Sequence, residues 1–183
     1  MFGLLSSMFL CKPSKEGVAE WRAFLRGVGS PFLDELRDVL DRIDPAGEKE
    51  MEDLLWEYTR LFIGPYKLPC PPWESVYASP KRLMMQESHD AVSDFYRQAG
   101  VSIADPNVVA DHVGAELSFL AILYGKMETE PEEVARYGEL AERFLAEHPR
   151  AWIPSFSVDM EMAAQSQFYK ALARATRTAI AAG

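Results

Sequence analysis

Apolar residues recur at helical spacing along nearly the whole chain, and capping residues punctuate them. Met1 to Leu10 reads as the apolar face of a first helix: it lacks a basic n-region, and no small-residue cleavage site precedes Lys12-Pro13. Ser14 caps a second segment carrying Val18, Trp21, Phe24 and Leu25 and ended by Gly27 and Gly29. Ser30-Pro31 is an N-cap followed by proline at the first helical position, with Asp34 and Glu35 suiting the positive helix end. Phe32, Leu33, Leu36, Val39, Leu40 and Ile43 then share one side until Asp44-Pro45-Ala46-Gly47 breaks the segment. A further helix carries Met51, Leu54, Leu55, Tyr58 and Leu61 inward and ends near Phe62.

The second half has the same character. Ser88 opens a helix stopped by Gly100, and Pro106 precedes a long segment from about Asn107 to Met127. Thr129 with Glu132 suggests a capping box for the next helix, which His148-Pro149 stops. Trp152-Ile153-Pro154 reads as a corner, with a short helix from about Ser155 and a last one from Gln167 to Ile180. No period-two alternation, repeat or low-complexity tract interrupts this pattern. The expectation is an all-α protein of about eight helices, packed as one orthogonal or globular domain over residues 1–183.

One stretch departs from the pattern. From Leu61 to Tyr77 the chain reads LFIGPYKLPCPPWESVY, with prolines at 65, 69, 71 and 72. Each removes a backbone donor and fixes φ, so neither a helix nor a central strand runs through. Closing a helical bundle needs only a few polar residues, whereas this connection is long, stiff and aromatic, the kind of loop that carries binding.

Composition narrows the function classes. The 19 basic and 28 acidic side chains give a net charge of −9, which argues against nucleic acid and favours a basic ligand. Cys11 and Cys70 make no disulfide framework, and a catalytic thiol has no base near it in sequence. That cysteine usage fits a reducing cytoplasm. No apolar run approaches the ~20 residues that span a bilayer, so no membrane insertion is expected. Gly27-Val28-Gly29 lacks the remaining glycine, lysine and strand of a phosphate loop, and no cofactor motif is found.

Four motifs in register resemble the TorD/DmsD family of molybdoenzyme-maturation chaperones. They are Leu61-Phe62-Ile63-Gly64-Pro65, then Pro71 to Tyr77, then Asp111 to Leu120, and a C-terminal set. That set comprises Phe144 to His148, Trp152, Pro154, Phe156 and Phe168 to Leu172. Two departures stand out: Val109-Ala110 replaces the acidic residue and proline many members place before the Asp-His pair, and the first helix begins almost at the initiator methionine. The resemblance implies a non-enzymatic cytoplasmic chaperone hinged near residues 100–112. Its partner would be the twin-arginine signal peptide of a molybdoenzyme subunit, held until the cofactor is loaded and then released for export. A dimethyl sulfoxide, trimethylamine oxide, nitrate or formate-type enzyme is the implied client. Monomer and domain-swapped dimer are both open.

Such a leader has a basic head and an apolar segment, so its receptor needs carboxylates beside an apolar trough. Gly64, Pro65, Pro71, Pro72, Trp73, Glu74, Ser75 and Tyr77 are the candidate wall. Glu74, Asp105, Asp111 and Glu116 are candidate partners for guanidinium groups, with His112 beside them. Competing roles exist for each. Trp73 and Tyr77 also suit core packing, and spacing alone favours a structural Asp111-His112: one complementing a helix N-terminus, the other buried near Glu116. Met84 and Met85, directly after the loop, suit either core filling or a forgiving groove. Two alternatives remain. One is a helical metal-dependent hydrolase using His89, Asp90, His112 and Glu116; the other is a nitrate-reductase-type assembly chaperone without a twin-arginine requirement.

Overall fold

A computed structural model describes residues 1–65, 67–79 and 81–183; Tyr66 and Pro80 lie outside them. Among the described residues there are ten α-helices and no strand. They are α1 (Phe2–Leu10), α2 (Lys15–Gly27), α3 (Asp34–Arg42), α4 (Glu48–Tyr58), α5 (Glu74–Ala78), α6 (Glu87–Gln98), α7 (Val113–Thr129), α8 (Val134–Glu147), α9 (Pro149–Ala163) and α10 (Gln167–Ala182). No described helix is long and apolar enough to cross a membrane.

The chain divides into two compact units: Met1–Leu10 with Pro72–Pro154 and Gly183, and Cys11–Pro71 with Ser155–Ala182. The connection at residues 100–112, expected to be a hinge between halves, lies inside the first unit. Of the passages between units, one falls between Leu10 and Cys11 and two fall at Pro71-Pro72 and Pro154, where proline removes a backbone donor.

In the first unit α1 lies against the start of α7. Ser6 Oγ donates to the Gly114 carbonyl at 2.7 Å. Glycine is required there, because a Cβ at 114 would stand 2.6 Å from Leu10 Cγ. Beneath α6, α7 and α8 the core is aromatic. Phe119 sits 4.8 Å from Phe144 and 4.6 Å from Tyr96, and Phe95 lies 5.3 Å from Phe144, in tilted and edge-on contacts that suit ring quadrupoles.

In the second unit Ser14 caps α2 as expected, accepting from Gly17 N at 3.0 Å. Arg22 closes the end of α3, its Nε donating to the Leu40 carbonyl at 2.8 Å. Glu57, buried on α4, accepts from Ser166 N at 3.0 Å and from Gln165 N, capping the approach to α10. Arg174 on α10 reaches Glu35 at 2.9 Å and Glu161 at 2.7 Å.

Several boundaries differ from the sequence reading, each for a local reason. Ser30-Pro31 opens a 3₁₀ turn rather than the α-helix itself. Beyond α4 the backbone widens into one π turn, Thr59–Ile63, closed by Gly64 at φ +98°, a left-handed conformation only glycine adopts cheaply. No capping box forms at Thr129, which belongs to the last turn of α7 and donates its hydroxyl to Gly125 O. Pro154 makes no corner: it lies within α9, which begins at Pro149 and absorbs the expected short helix. The long segment from Asn107 shortens to a helix starting at Val113, because His112 caps it. Gly100, at φ +67°, follows α6 as expected.

Candidate functional site

Nine of the candidate residues, Pro72, Trp73, Glu74, Ser75, Tyr77, Asp105, Asp111, His112 and Glu116, belong to the first unit. Gly64, Pro65 and Pro71 belong to the second. Two chain segments meet in the first unit as a miniature antiparallel pair. Val113 N donates to the Pro72 carbonyl and Glu74 N to the Asp111 carbonyl, both at 2.9 Å, placing Trp73 opposite His112. The proline pair ends in an acceptor with no donor of its own, which suits this one-sided ladder.

Asp111 is the pin of this corner. Its Oδ2 accepts from Ser75 N at 2.9 Å, supplying the first turn of the short α5 with an anionic cap. The residue is fully buried (0% exposed), and its Oδ1 has no partner, nor does the buried Ser75 Oγ. His112 Nδ1 accepts from Gly114 N at 3.0 Å, so the ring that caps α7 is neutral with its proton on Nε2. Burial pushes this imidazole down to about 4, in keeping with an acceptor role.

A second layer holds the corner from below. Glu74 Oε2 lies 2.9 Å from His148 Nδ1, both groups buried at the junction of α8 and α9. Glu116, 0% exposed, accepts from Trp152 Nε1 at 3.0 Å. Desolvation raises the Glu116 carboxyl well above the carboxylate range, the Glu74 charge adds to this, and the Trp152 bond opposes it. The same acids and burial raise the Tyr96 hydroxyl, which donates to the Ala110 carbonyl at 2.8 Å.

Trp73 and Tyr77 are half-buried. Trp73 stands edge-on to His112 at 6.1 Å, Tyr77 packs on Trp152 at 5.5 Å, and Arg82 lies 5.1 Å over the Tyr77 ring. Each ring therefore packs on one side and keeps some surface. Leu83, Met84 and Met85 follow as an exposed apolar run, Met85 at 63% exposure. Glu74, Asp111 and Glu116 by contrast turn inward and act as struts.

Asp105 is exposed and lines a different feature, a groove of about 280 Å³ beside α7. His89 pairs with its neighbour Asp90 at 3.2 Å, while His112 and Glu116 are occupied as above. Among the described residues, no three His, Cys, Asp or Glu side chains group closely enough to hold a metal ion. His148 and Trp152 were not singled out as site residues. His148 marked a helix end and belonged to the C-terminal family motif, as Trp152 did, but nothing in spacing pairs His148 with Glu74, 74 residues away.

Comparison with known proteins follows the same lines. The sequence model of the family described as "Nitrate reductase delta subunit" matches residues 30–158. The chain is 33% identical over 180 residues to "Probable Tat proofreading chaperone DmsD" of Haemophilus influenzae, covering 94% of this chain and 83% of that protein. It is 34% identical over 131 residues to "Tat proofreading chaperone DmsD" of Salmonella typhi, covering 71% of this chain but 60% of that protein. A crystal structure described as a redox enzyme maturation protein from Archaeoglobus fulgidus shares the fold, with a TM-score of 0.68, 23% identity, and 99% and 94% of the two chains covered. With its motifs, its all-helical fold and these matches agreeing, the chain belongs to the nitrate reductase delta subunit family, the family of the TorD and DmsD proteins.

Proposed function

We propose that this protein is a non-enzymatic maturation chaperone. It binds the twin-arginine signal peptide of a molybdenum-cofactor oxidoreductase subunit in the cytoplasm, holds the subunit while the cofactor is inserted, and releases it for export. The observation that carries this reading is the Trp73–Ser75 corner. Two half-buried aromatic rings, Trp73 and Tyr77, lie on the segment that Asp111 pins through Ser75 N, and the Oδ1 of that internal carboxylate lacks a donor, in a chain of net charge −9. A buried acceptor left unpaired costs about 1–3 kcal/mol, which a guanidinium reaching the corner would recover. The rings supply apolar area at low entropic cost, and the exposed Leu83-Met84-Met85 run extends it. The names of the DmsD relatives agree with this client class.

The test begins with capture from the native host. The protein should retain one molybdoenzyme subunit, and the first ~30 residues of that subunit, made as a peptide, should bind in calorimetry with micromolar or tighter affinity. Replacing the two arginines by lysines, or Trp73 and Tyr77 by alanine in a variant whose circular dichroism is unchanged, should weaken binding at least about tenfold. Absence of saturable binding by the wild-type protein refutes the reading. A second reading, an assembly chaperone of the nitrate-reductase type, is favoured by the description of the matching family. Tight binding that ignores the arginine-to-lysine change would select it.

A further inference from the structure

Residues 81–86 lead from the end of α5 to α6, and their backbone is unusual. Arg82 at φ +52° and Met85 at φ +54° lie in the left-handed region, which residues bearing a Cβ adopt at a cost. Burial does not hold them there, because Arg82, Leu83, Met84 and Met85 are all exposed. Local bonds set the path instead. Ser79 N donates to the Ser75 carbonyl at 3.1 Å, and Arg82 N donates to the Ser79 carbonyl at 2.9 Å. The chain thereby turns back on α5, and the Arg82 guanidinium comes to rest 5.1 Å over the Tyr77 ring. All of these residues belong to the first unit.

This contact has the chemistry of the ligand proposed above. Tyr77 is one of the two half-buried rings of the corner, and the group over it is a guanidinium, a planar cation that stacks on aromatic faces. Apolar residues follow Arg82 directly, as they follow the basic head of a leader. Trp152 packs against the same ring at 5.5 Å, so Arg82 covers surface that a ligand arginine needs. An exposed contact of this kind is weak enough to yield to a better-held competitor.

We infer that Arg82 is an internal stand-in for a ligand arginine: it holds the Tyr77 ring in the free protein, and an arginine of the leader displaces it on binding. The inference rests on the function proposed above and adds two things to it, a seat for one guanidinium and a competitor for that seat within the chain. Apparent affinity for any basic peptide is then reduced by the fraction of molecules in which Arg82 has left the ring. A peptide offering one positive charge only exchanges an equal contact. A leader that also meets Trp73 and the Asp111 carboxylate gains more than Arg82 gives up, so the contact sharpens selection. Leu83, Met84 and Met85 are not consumed by it and remain the apolar extension of the corner.

The experiment uses the full chain and one probe, the first ~30 residues of the captured subunit made as a peptide, with affinity read by calorimetry. Arg82→Ala removes the guanidinium while leaving the same demand on the backbone. Lys81→Ala removes an equal charge one residue away, from an exposed side chain. Thermal unfolding checks that each variant folds. The expected result is about two- to fivefold tighter binding by Arg82→Ala, the fold-change to which ~0.5–1 kcal/mol of exposed cation–π contact converts. Lys81→Ala should change affinity by less than about 1.5-fold, and Arg82→Ala should bring no gain in a Tyr77→Leu background. Should Tyr77→Leu fail to fold, proton resonances of the Arg82 side chain decide without it: shifted upfield over the ring in the free protein, they should return when the peptide saturates. Unchanged or weaker binding by folded Arg82→Ala overturns the inference and leaves the proposed function standing. An equal gain from Lys81→Ala, a gain that survives Tyr77→Leu, or Arg82 resonances unmoved by the peptide overturns it as well. Failure of the wild-type protein to bind the peptide overturns both.

Discussion

Replacing Glu116 by glutamine isolates the energetics of the buried acids. In the native protein the Glu116 carboxyl faces Trp152 on α9, Glu74 on α5, Asp111 beside the α7 cap and Tyr96 on α6, with no exposure to water. Desolvation and the Glu74 charge raise its folded pKa, while the unfolded value stays near ~4.3. The sign follows. Below the unfolded value both states are protonated and the group contributes fully. As pH rises through that value the unfolded chain releases the proton first, so the unfolded state binds fewer protons and stability falls until the raised folded pKa is passed. Glutamine imitates the protonated acid: its carbonyl oxygen accepts the Trp152 bond and its amide donates to Glu74. Replacing a buried charge by a neutral group of equal shape is neutral to stabilising by about 1–4 kcal/mol. At pH 8 Glu116→Gln should therefore unfold about 2–16 °C higher, at ~2–4 °C per kcal/mol for this size, and the difference should vanish near pH 4. Trp152→Phe should act oppositely, removing the donor and costing about 1–3 kcal/mol at every pH where Glu116 needs a partner. Thermal melts followed by far-ultraviolet circular dichroism across pH 4–9 measure both. A Glu116→Gln protein less stable than wild type at pH 8, or a gain independent of pH, would refute the reasoning.

Two other outcomes are expected. Gly114→Ala drives a Cβ into Leu10 Cγ and Cδ2 at 2.6 and 2.9 Å, so α1 and α7 must separate; the melt should fall by about 1–3 kcal/mol. A drop below about 1 °C would show that Leu10 yields freely. Burial pushes the Cys70 thiol up to about 12, whereas Cys11 is exposed, so a colorimetric thiol reagent at pH 8 should titrate one cysteine rapidly in the native protein and the second only on unfolding. Two fast thiols would contradict the burial of Cys70, whose Sγ donates to the Leu61 carbonyl at 3.8 Å.

The all-helical character was legible because amphipathic periodicity and local stop signals are written in adjacent residues. Ser14 caps from three positions away, and Gly100 supplies the left-handed φ its place demands. Errors fell where a local signal competes with tertiary structure. Pro154 looked like a corner because proline forfeits a backbone bond, yet α9 runs through it, flanked by Trp152, Ile153 and Phe156, all buried. The Asn107 segment looked helical from its apolar stripe, but Asp111 is engaged with Ser75 and its carbonyl with Glu74, which leaves His112 to start α7. The first turn of α5 was hidden for the same reason: its anionic cap comes from 36 residues downstream. Among the candidate residues, burial was not legible. A carboxylate read from sequence as facing a cation turns out to face an indole or an imidazole, because spacing says nothing about which side of a loop the core occupies.

That distinction decides how variants of the corner must be interpreted. Asp111 accepts at the start of α5, and His112 accepts at the start of α7, so Asp111→Ala with His112→Ala removes two helix caps as well as any ligand contact. Losing a cap costs about 1 kcal/mol each, and two in one corner would loosen Trp73 and Tyr77 even if neither residue touched a peptide. Lost binding in that double variant therefore has two causes that affinity alone does not separate. Asp111→Asn does separate them. Its amide oxygen keeps the bond from Ser75 N and its volume is unchanged, while the charge that a guanidinium would meet is gone. If the corner binds a cationic head, Asp111→Asn should keep its melt within about 1 kcal/mol of wild type, lose about tenfold or more in affinity for the arginine-bearing head, and lose the salt dependence of that affinity. If Asp111 only pins the loop, affinity and salt dependence both stay where they were, and recognition must rest on Trp73 and Tyr77 alone.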